Sequence, residues 1–400
     1  MYRFVHAADL HLDAPFRGLA RRDPEIAQQL RDASLHALDA LVESAIERNC
    51  HFVLMSGDIY DGLERGVRAQ VRLRNAAARL AEHGIRLFLL HGNHDPVHEG
   101  YVAVDQWPET TVVFGAGAPE VHAFACDGGR VTVTGQSYPS RKVTQSLAAG
   151  YPAPEGEGLH VAMLHTELDE HGLDHPYSPC VLSDLVATGF HYWALGHIHD
   201  QKVLHAHPPV VAYSGNLQGR HFAECGSRGA LFVSGAPHEL QTEPLALAPV
   251  VFERVLLDAT DVGAVDDVVK ALTQRIPSTP DALQLLRAEI QGRSTHYRAL
   301  GSLSRDEWLR ILQDAAPPAV RWVDVRLDVQ PMIDLEALSD APTLAGALVR
   351  RARQDLDLLA LLDEVPALRG LAERLNDEAQ RHLLTRALAR AVDAVTVEGA

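Results

Sequence analysis

His6-Ala7-Ala8-Asp9-Leu10-His11-Leu12-Asp13 closes the first apolar run of the chain, Tyr2 to Ala8, and the way it closes decides how the rest is read. A buried strand that stops at Asp-x-His presents polar side chains at the carboxyl end of a strand, where an α/β sheet collects its ligands. Four further apolar runs have the same form. His51 to Ser56 ends in Gly57-Asp58, and Arg86 to Leu90 ends in His91-Gly92-Asn93-His94-Asp95. Leu159 to Leu164 ends in His165, and His191 to Leu195 ends in Gly196-His197-Ile198-His199. The helical stretches Asp23 to Arg48 and Arg65 to His83 separate the first three runs, so strand, helix, strand, helix, strand predicts an α/β layered core.

At 400 residues the chain exceeds what one hydrophobic core serves, which predicts two domains or three. A hydrophobic share of 46% with 22% charged residues excludes a disordered or collagen-like protein. No apolar run approaches the roughly 18 residues of a membrane span, so a soluble protein without membrane contact or secretory signal is expected. Cys50, Cys126, Cys180 and Cys225 form no C-x-x-C pair, which argues against a disulfide framework and for a reducing cytoplasm. The net charge of -17 argues against a nucleic-acid binder, but a site holding divalent ions supplies its own positive charge.

From Val112 to Tyr138 the pattern alternates as β structure, with further strands expected at Val210 to Tyr213 and Ala230 to Val233. Gly235 to Pro249 has no clear period and is read as the domain junction, setting a catalytic domain at 1–245. Residues 250–331 read as a small α/β domain, with Ser304 and Glu307 forming a capping box before Trp308. Residues 343–400 read as helical, with Leu344 and Leu348, Leu368, Leu371 and Leu375, then Leu384, Leu388 and Val392 at helical spacing.

A lone D-x-H or H-x-H is weak. His205-Ala206-His207 repeats the spacing without the apolar strand and runs into Pro208-Pro209, so it reads as an exposed loop. Five such blocks in order are a stronger signal, and their Asp, Asn and His donors without cysteine suit manganese, iron or zinc. Two ions bring about four positive charges, of which Asp9 and Asp58 cancel two, so the site would stay cationic, attract a phosphate ester and activate a water near neutral pH. Glycines at 57, 92 and 196 are expected where tight turns need an unusual φ.

The pattern D-x-H, G-D, G-N-H-D, H and G-H-x-H resembles the calcineurin-like metallophosphoesterases over roughly residues 1–245. Within that superfamily His6 to Asp13, Gly57-Asp58-Ile-Tyr-Asp61 and Leu90 to Asp95 are similar to SbcD-type DNA repair exonucleases. Tyr213-Ser-Gly-Asn-Leu-Gln-Gly-Arg-His221 is similar to their YhaO-like branch. The resemblance implies a four-layer helix/sheet/sheet/helix sandwich with a capping domain and a helical tail that contacts an SbcC-like coiled-coil ATPase. It implies a two-metal DNA nuclease, with manganese as the expected ion and a homodimer as an allowed assembly. It places one ion on Asp9, His11, Asp58 and His199, and the second on Asp58, Asn93, His165 and His197. His94 is left to face the scissile phosphate, with Asp61 orienting it where some relatives carry a histidine.

A phosphatase or small-molecule phosphodiesterase on the same site is the alternative, since the ligands read only phosphate; a structural subunit anchoring an ATPase is a third. Arg220 and His221 are candidate phosphate contacts. Arg65, Arg68 and Arg72 share a helical face that reads as solvated or as a contact to a DNA backbone. His6, His51 and His191 read as structural, and Asp13 and Asp95 as either loop caps or partners of ligands.

Overall fold

Strand β1 (Tyr2–Ala7) has side chains buried on both faces, and their alternation assigns the layers. Phe4 faces one way into a cluster with Phe52, Phe88, Val161, Met163 and Tyr192, whereas Val5 faces the other way toward Leu38, Leu41, Leu73 and Leu80. Burial on both faces is why the strand reads as a continuous apolar run rather than an alternating one. The computed structural model describes residues 1–14, 24–62, 66–99, 102–104, 106–168, 177–260, 262–279, 282–355 and 376–398.

In chain order β1 is followed by α1 (Pro24–Glu47), β2 (Phe52–Ser56), α2 (Val67–Glu82), β3 (Arg86–Leu90), β4 (Thr111–Val113), β5 (Glu120–Cys126), β6 (Gly129–Gly135), β7 (Leu159–His165), α3 (Leu182–Val186), β8 (Tyr192–Gly196), β9 (Lys202–His205), β10 (Val210–Tyr213), β11 (Gly229–Gly235) and β12 (Gln241–Ala246). The first sheet has the order β12-β11-β1-β2-β3-β4 and the second β5-β6-β7-β8-β10-β9. The pairs from β1 to β4 are parallel, as are β6 with β7, β7 with β8 and β8 with β10. The aromatic layer lies between the sheets, where Phe4 and Phe52 stack with centroids 4.6 Å apart. Truncating Phe52 to alanine would cost about 3–5 kcal/mol. Helices α1 and α2 cover the first sheet, and α3 with Phe190 covers Trp193 and Tyr213 on the second. This is the expected α/β four-layer sandwich, with a thin fourth layer.

The run Gly235 to Pro249, read as a junction, contains strand β12 instead. It pairs antiparallel with β11 from Gly229↔Ala246 to Ser234↔Gln241. The strand was invisible to periodicity because it is a mostly exposed edge carrying Pro244, a residue tolerated on edges. The segment read as one β region from Val112 to Tyr138 divides between sheets, β4 closing the first and the β5–β6 hairpin opening the second.

The chain forms two compact units, Met1–Glu253 with Thr279–Gln284, and Arg254–Ser278 with Leu285–Ala400. The remaining elements are β13 (Val250–Asp258), α4 (Val265–Gln274), β14 (Leu283–Ser294), α5 (Tyr297–Ser302), α6 (Arg305–Asp314), β15 (Val320–Pro331), α7 (Leu335–Ser339), α8 (Leu344–Asp355) and α9 (Asp377–Glu398). The second unit's core gathers Val255, Leu257, Leu286, Ile290, Trp308, Leu312 and Trp322. The Ser304–Glu307 capping box forms, with Ser304 N donating to Glu307 Oε2 at 2.7 Å. Helix α5 was not anticipated; it receives the Trp308 Nε1–H at Leu300 O, 3.2 Å away. Leu348, Leu388, Val349 and Val392 pack together in the tail, whereas Leu344 is 73% exposed. Leu368, Leu371 and Leu375 lie outside the described residues, as do Asp23 and Arg65 at the starts of the first two expected helices.

Candidate metal centre

The loops that leave β1 and β2 are pinned to one another by main-chain hydrogen bonds, with Asp9 N donating to Gly57 O at 3.0 Å and His11 N to Asp58 O at 3.0 Å. Asp9, His11, Asp58 and His197 all take left-handed backbone conformations, with φ of 51°, 42°, 51° and 100°. Non-glycine residues seldom adopt this region, and such strain persists where surrounding structure enforces it, commonly at functional sites.

These turns bring the strand-end side chains together. His11 Nε2 lies 3.2 Å from His199 Nε2, and Asp58 Oδ2 lies 3.5 Å from His165 Nε2 and 4.0 Å from His11 Nε2. Asn93 Oδ1 stands 2.9 Å from His165 Nε2 and 3.2 Å from His197 Nδ1. Both Asp9 oxygens lie 3.1 Å from the His197 main-chain nitrogen, which donates to them. Asp9, His11, Asp58 and His165 are buried. Donor atoms of Asp9, His11 and His199 lie within 4.8 Å of one another, as do those of Asp9, Asp58 and His165.

The proton positions suit ligation. His165 Nδ1 donates to Ser56 O at 3.0 Å, so Nε2, which faces the centre, is the nitrogen that would ligate once it gives up its proton. His199 Nδ1 donates to Glu224 Oε1 at 2.7 Å, with the same result. His11 Nδ1 is buried without a hydrogen bond; ligation through Nε2 would put its proton on Nδ1, 3.5 Å from Asp61 Oδ1. Burial pushes Asp9 up and drives His197 down to about 3. Burial acts the same way on Asp58 and His165, but their mutual attraction outweighs it, holding the Asp58 carboxyl well below its usual range and the imidazole up at about 9. An enclosed set of carboxylate, amide and imidazole donors without thiolate fits borderline or hard divalent ions.

His94 stands beside this set, its Nε2 4.0 Å from Asp58 Oδ2 and its main-chain nitrogen donating to Asp58 Oδ1 at 2.9 Å. Its Nδ1 lies 3.0 Å from Asp61 Oδ1, a hydrogen bond that raises the imidazole above its ordinary value. The nearby imidazole of His11, 3.5 Å away, and the hydrogen bond with His94 hold the Asp61 carboxyl low. Arg220 reaches the same carboxylate, with Nη1 3.4 Å from Asp61 Oδ2. His221 does not reach this group: its side chain is 59% exposed, with Nε2 3.5 Å from Glu224 Oε1.

Of the arginine face after Gly57-Asp58, the two described members are paired with carboxylates. Arg68 pairs with Asp32 and Asp13, and Arg72 pairs with Asp39 across α1. The expected exposed loop at His205-Ala206-His207 holds only in part: His205 is the half-buried last residue of β9, with Nδ1 bonding the carbonyls of His207 and Pro209, and Ala206 and His207 are exposed beyond it. His6 and His51 are held in protein hydrogen bonds, His6 by Tyr192 and Leu195 and His51 by the Arg3 main chain; His191 Nδ1 accepts from His160 N. Asp95 is buried and accepts from the main chains of Ile59 and Gly92, fixing two ligand loops at once, whereas Asp13 pairs with Arg68.

The glycines need correcting in part. Gly57 has φ +94°, as a tight turn demands, but Gly92 and Gly196 do not lie at positive φ. They are small because a Cβ on Gly92 would stand 2.3 Å from Asp58 Oδ1, and one on Gly196 would stand 1.9 Å from Ser56 O. Sequence reading missed Glu224, buried and held down at about 2 because its bond to His199 outweighs the effect of burial. It missed Tyr177, whose ring lies 4.9 Å from that of His197, and Glu167, 3.7 Å from His197 Nε2. Glu224 and Tyr177 follow no apolar strand, which was the signal used; Glu167 stands two residues beyond the apolar β7 and was passed over for His165 at its end.

Residues 2–201 match the family model of the calcineurin-like phosphoesterases. The chain is 31% identical over 396 residues to YhaO of Bacillus subtilis, described as an uncharacterized metallophosphoesterase, covering 96% of this chain and 95% of that one. It is 27% identical over 220 residues to the DNA double-strand break repair protein Mre11 of Thermoplasma acidophilum, 54% of this chain and 56% of that relative. Among solved structures, a dimetal phosphatase from Danio rerio is 12% identical with a TM-score of 0.37, covering 60% of this chain and 98% of that one. Among the described residues no helix is long and apolar enough to cross a membrane. The chain belongs to the calcineurin-like phosphoesterases and is a metal-dependent phosphoester hydrolase whose family implies a site for two divalent ions.

Proposed function

We propose that this hydrolase is a DNA nuclease of the SbcD type that cleaves phosphodiesters with two manganese ions. The observation that carries the chemistry is the convergence of seven ligand-type side chains with His94 beside them and outside the donor set. Support for DNA comes from the similarity to Mre11 proteins, including 25% identity over 292 residues to that of Aeropyrum pernix.

In this reading one ion is held by Asp9, His11, Asp58 and His199 and the other by Asp58, Asn93, His165 and His197. When bound, the ions supply the positive charge that draws in a phosphodiester and activates a water for attack. His94 gives a proton to the leaving 3' oxygen, and Asp61, bonded to Nδ1, keeps Nε2 available for it. Arg220 offers a guanidinium to the phosphate from beside Asp61. Residues 250–331 serve as a capping domain for an extended polymer, and residues 343–400 dock an SbcC-like ATPase.

The test is a digest of labelled single-stranded and double-stranded DNA with manganese, magnesium or zinc, with and without an SbcC-like ATPase. Manganese-dependent cleavage of DNA ends, nicks or hairpins supports the proposal. Rapid turnover of nitrophenyl phosphate with no action on any DNA would replace it with the phosphatase reading. A chain truncated after Pro342 that captured the ATPase at full strength would remove the docking role of the tail.

A further inference from the structure

The irregular segment from Ser214 to Arg228 carries an ordered polar network around a carboxylate to which the proposed chemistry gives no role. Glu224 lies at its centre, only 6% exposed. Its Oε1 accepts the Nδ1–H of His199 at 2.7 Å, and its Oε2 accepts from Asn216 Nδ2 at 2.9 Å and from the Arg220 main-chain nitrogen at 2.7 Å. Arg228 holds the same histidine from its other end, with Nη1 donating to His199 O at 2.5 Å and to Asn216 Oδ1 at 3.3 Å. Asn216 therefore spans the two charged groups, and His199 is gripped at its ring and at its main chain by one segment. Gly219 permits the close return, since a Cβ there would stand 2.8 Å from Glu224 O.

The grip has a chemical consequence. An imidazole ligates a cation through a nitrogen without a proton, and a carboxylate on one nitrogen settles which of the two that is. With Nδ1–H given to Glu224, the lone pair of His199 sits on Nε2, the atom that faces His11 Nε2 at 3.2 Å. The other oxygen of the same carboxylate fixes the main chain of Arg220, whose guanidinium meets Asp61. We infer that Glu224 is a positioning residue that sets the His199 tautomer for one of the two ions and anchors the Arg220 turn to that ligand. The inference rests on the two-metal reading above.

Glu224→Gln keeps the shape and removes one acceptor. Its amide must either face His199 Nδ1 with N–H, which forces the proton onto Nε2, or face the donors of Asn216 and Arg220. The measurement is calorimetric titration of manganese alone into the metal-free full-length chain, for the parent, Glu224→Gln, His199→Ala and the double variant. The parent should bind two ions. Glu224→Gln should weaken one of them by about 10- to 100-fold and leave the other within about threefold. In the His199→Ala background the same change should add little, because the residue acts through that histidine.

Thermal unfolding of the metal-free proteins should be similar for the parent and Glu224→Gln, which separates positioning from loss of fold. Two parent-like sites in Glu224→Gln would overturn the inference. So would an equal further loss when Glu224→Gln is added to His199→Ala, since the carboxylate would then act independently of the ligand. A parent chain that bound fewer than two ions would overturn the two-metal reading itself, an outcome seen before any variant is compared.

Discussion

Asp61 Oδ1 lies 3.0 Å from His94 Nδ1, while its second oxygen lies 3.4 Å from Arg220 Nη1, so one carboxylate joins the imidazole beside the metal donors to the guanidinium at their edge. The bond to Asp61 raises His94 above its ordinary value, which keeps the protonated form to higher pH. Asp61→Asn keeps the shape but removes the charge, so the imidazole's pKa falls. If the protonated ring serves the reaction, the alkaline limb of the rate profile should move to lower pH. Rate against pH at saturating manganese, on the best DNA substrate, checks this; an unmoved limb would sink the assignment.

Replacing His94 itself separates proton transfer from metal binding. His94→Gln keeps comparable bulk and a donor but no ionisable ring, so hydrolysis should fall about a hundredfold or more. Both ions should remain, because the ring stands outside the proposed ligand set. Elemental analysis after manganese loading reads the second half of the prediction. Loss of an ion, or full activity with both ions bound, would refute the role.

How far the sequence carries depends on what each residue leaves as a trace. Asp9, Asp58, His165 and His197 were legible because each follows an apolar strand buried on both faces, and such strands end where ligands gather. Glu224 left no trace, since it reaches His199 from an irregular segment whose path follows only from the folded sheets. Strand β12 was hidden for a related reason: an exposed edge strand has no buried face to print a period of two. Gly92 and Gly196 were legible as glycines but for the wrong cause, because the crowding that excludes a Cβ comes from Asp58, His165 and Ser56, remote in sequence from one or both.

That crowding gives a contrast between two alanine substitutions. In Gly92→Ala the new Cβ meets the Asp58 carboxylate at 2.3 Å and the His165 ring at 2.7 Å, both side chains of the proposed ligand set. In Gly196→Ala the first and closest clash is with the main-chain oxygen of Ser56 at 1.9 Å, at the end of strand β2, with His165 Nδ1 further off at 2.9 Å. The first should lose manganese while unfolding near the parent temperature without metal. The second should lose about 1–3 kcal/mol or more of stability, because a strand must move. Metal content and melting temperature of the two proteins, compared side by side, decide the matter; equal behaviour would contradict the geometry.

The last prediction concerns acid stability and the buried His6. Its Nε2 donates to Leu195 O at 3.1 Å and its Nδ1 accepts from Tyr192 OH at 2.9 Å, so both nitrogens are used by the neutral ring. Burial drives its pKa down to about 3, far below the 6.5 of an exposed histidine. A folded value below the unfolded one means that unfolding takes up a proton as pH falls. The stability from the neutral ring is therefore complete above about pH 6.5 and declines as pH falls toward 3, by about 1.4 kcal/mol per unit for one proton. His6→Asn, with no titrating ring, should be less stable at pH 7.5 yet lose less on acidification. Urea unfolding with chelator present, at pH 7.5, 6 and 5, measures both slopes. A parent and variant with the same pH slope would show that His6 does not carry this proton.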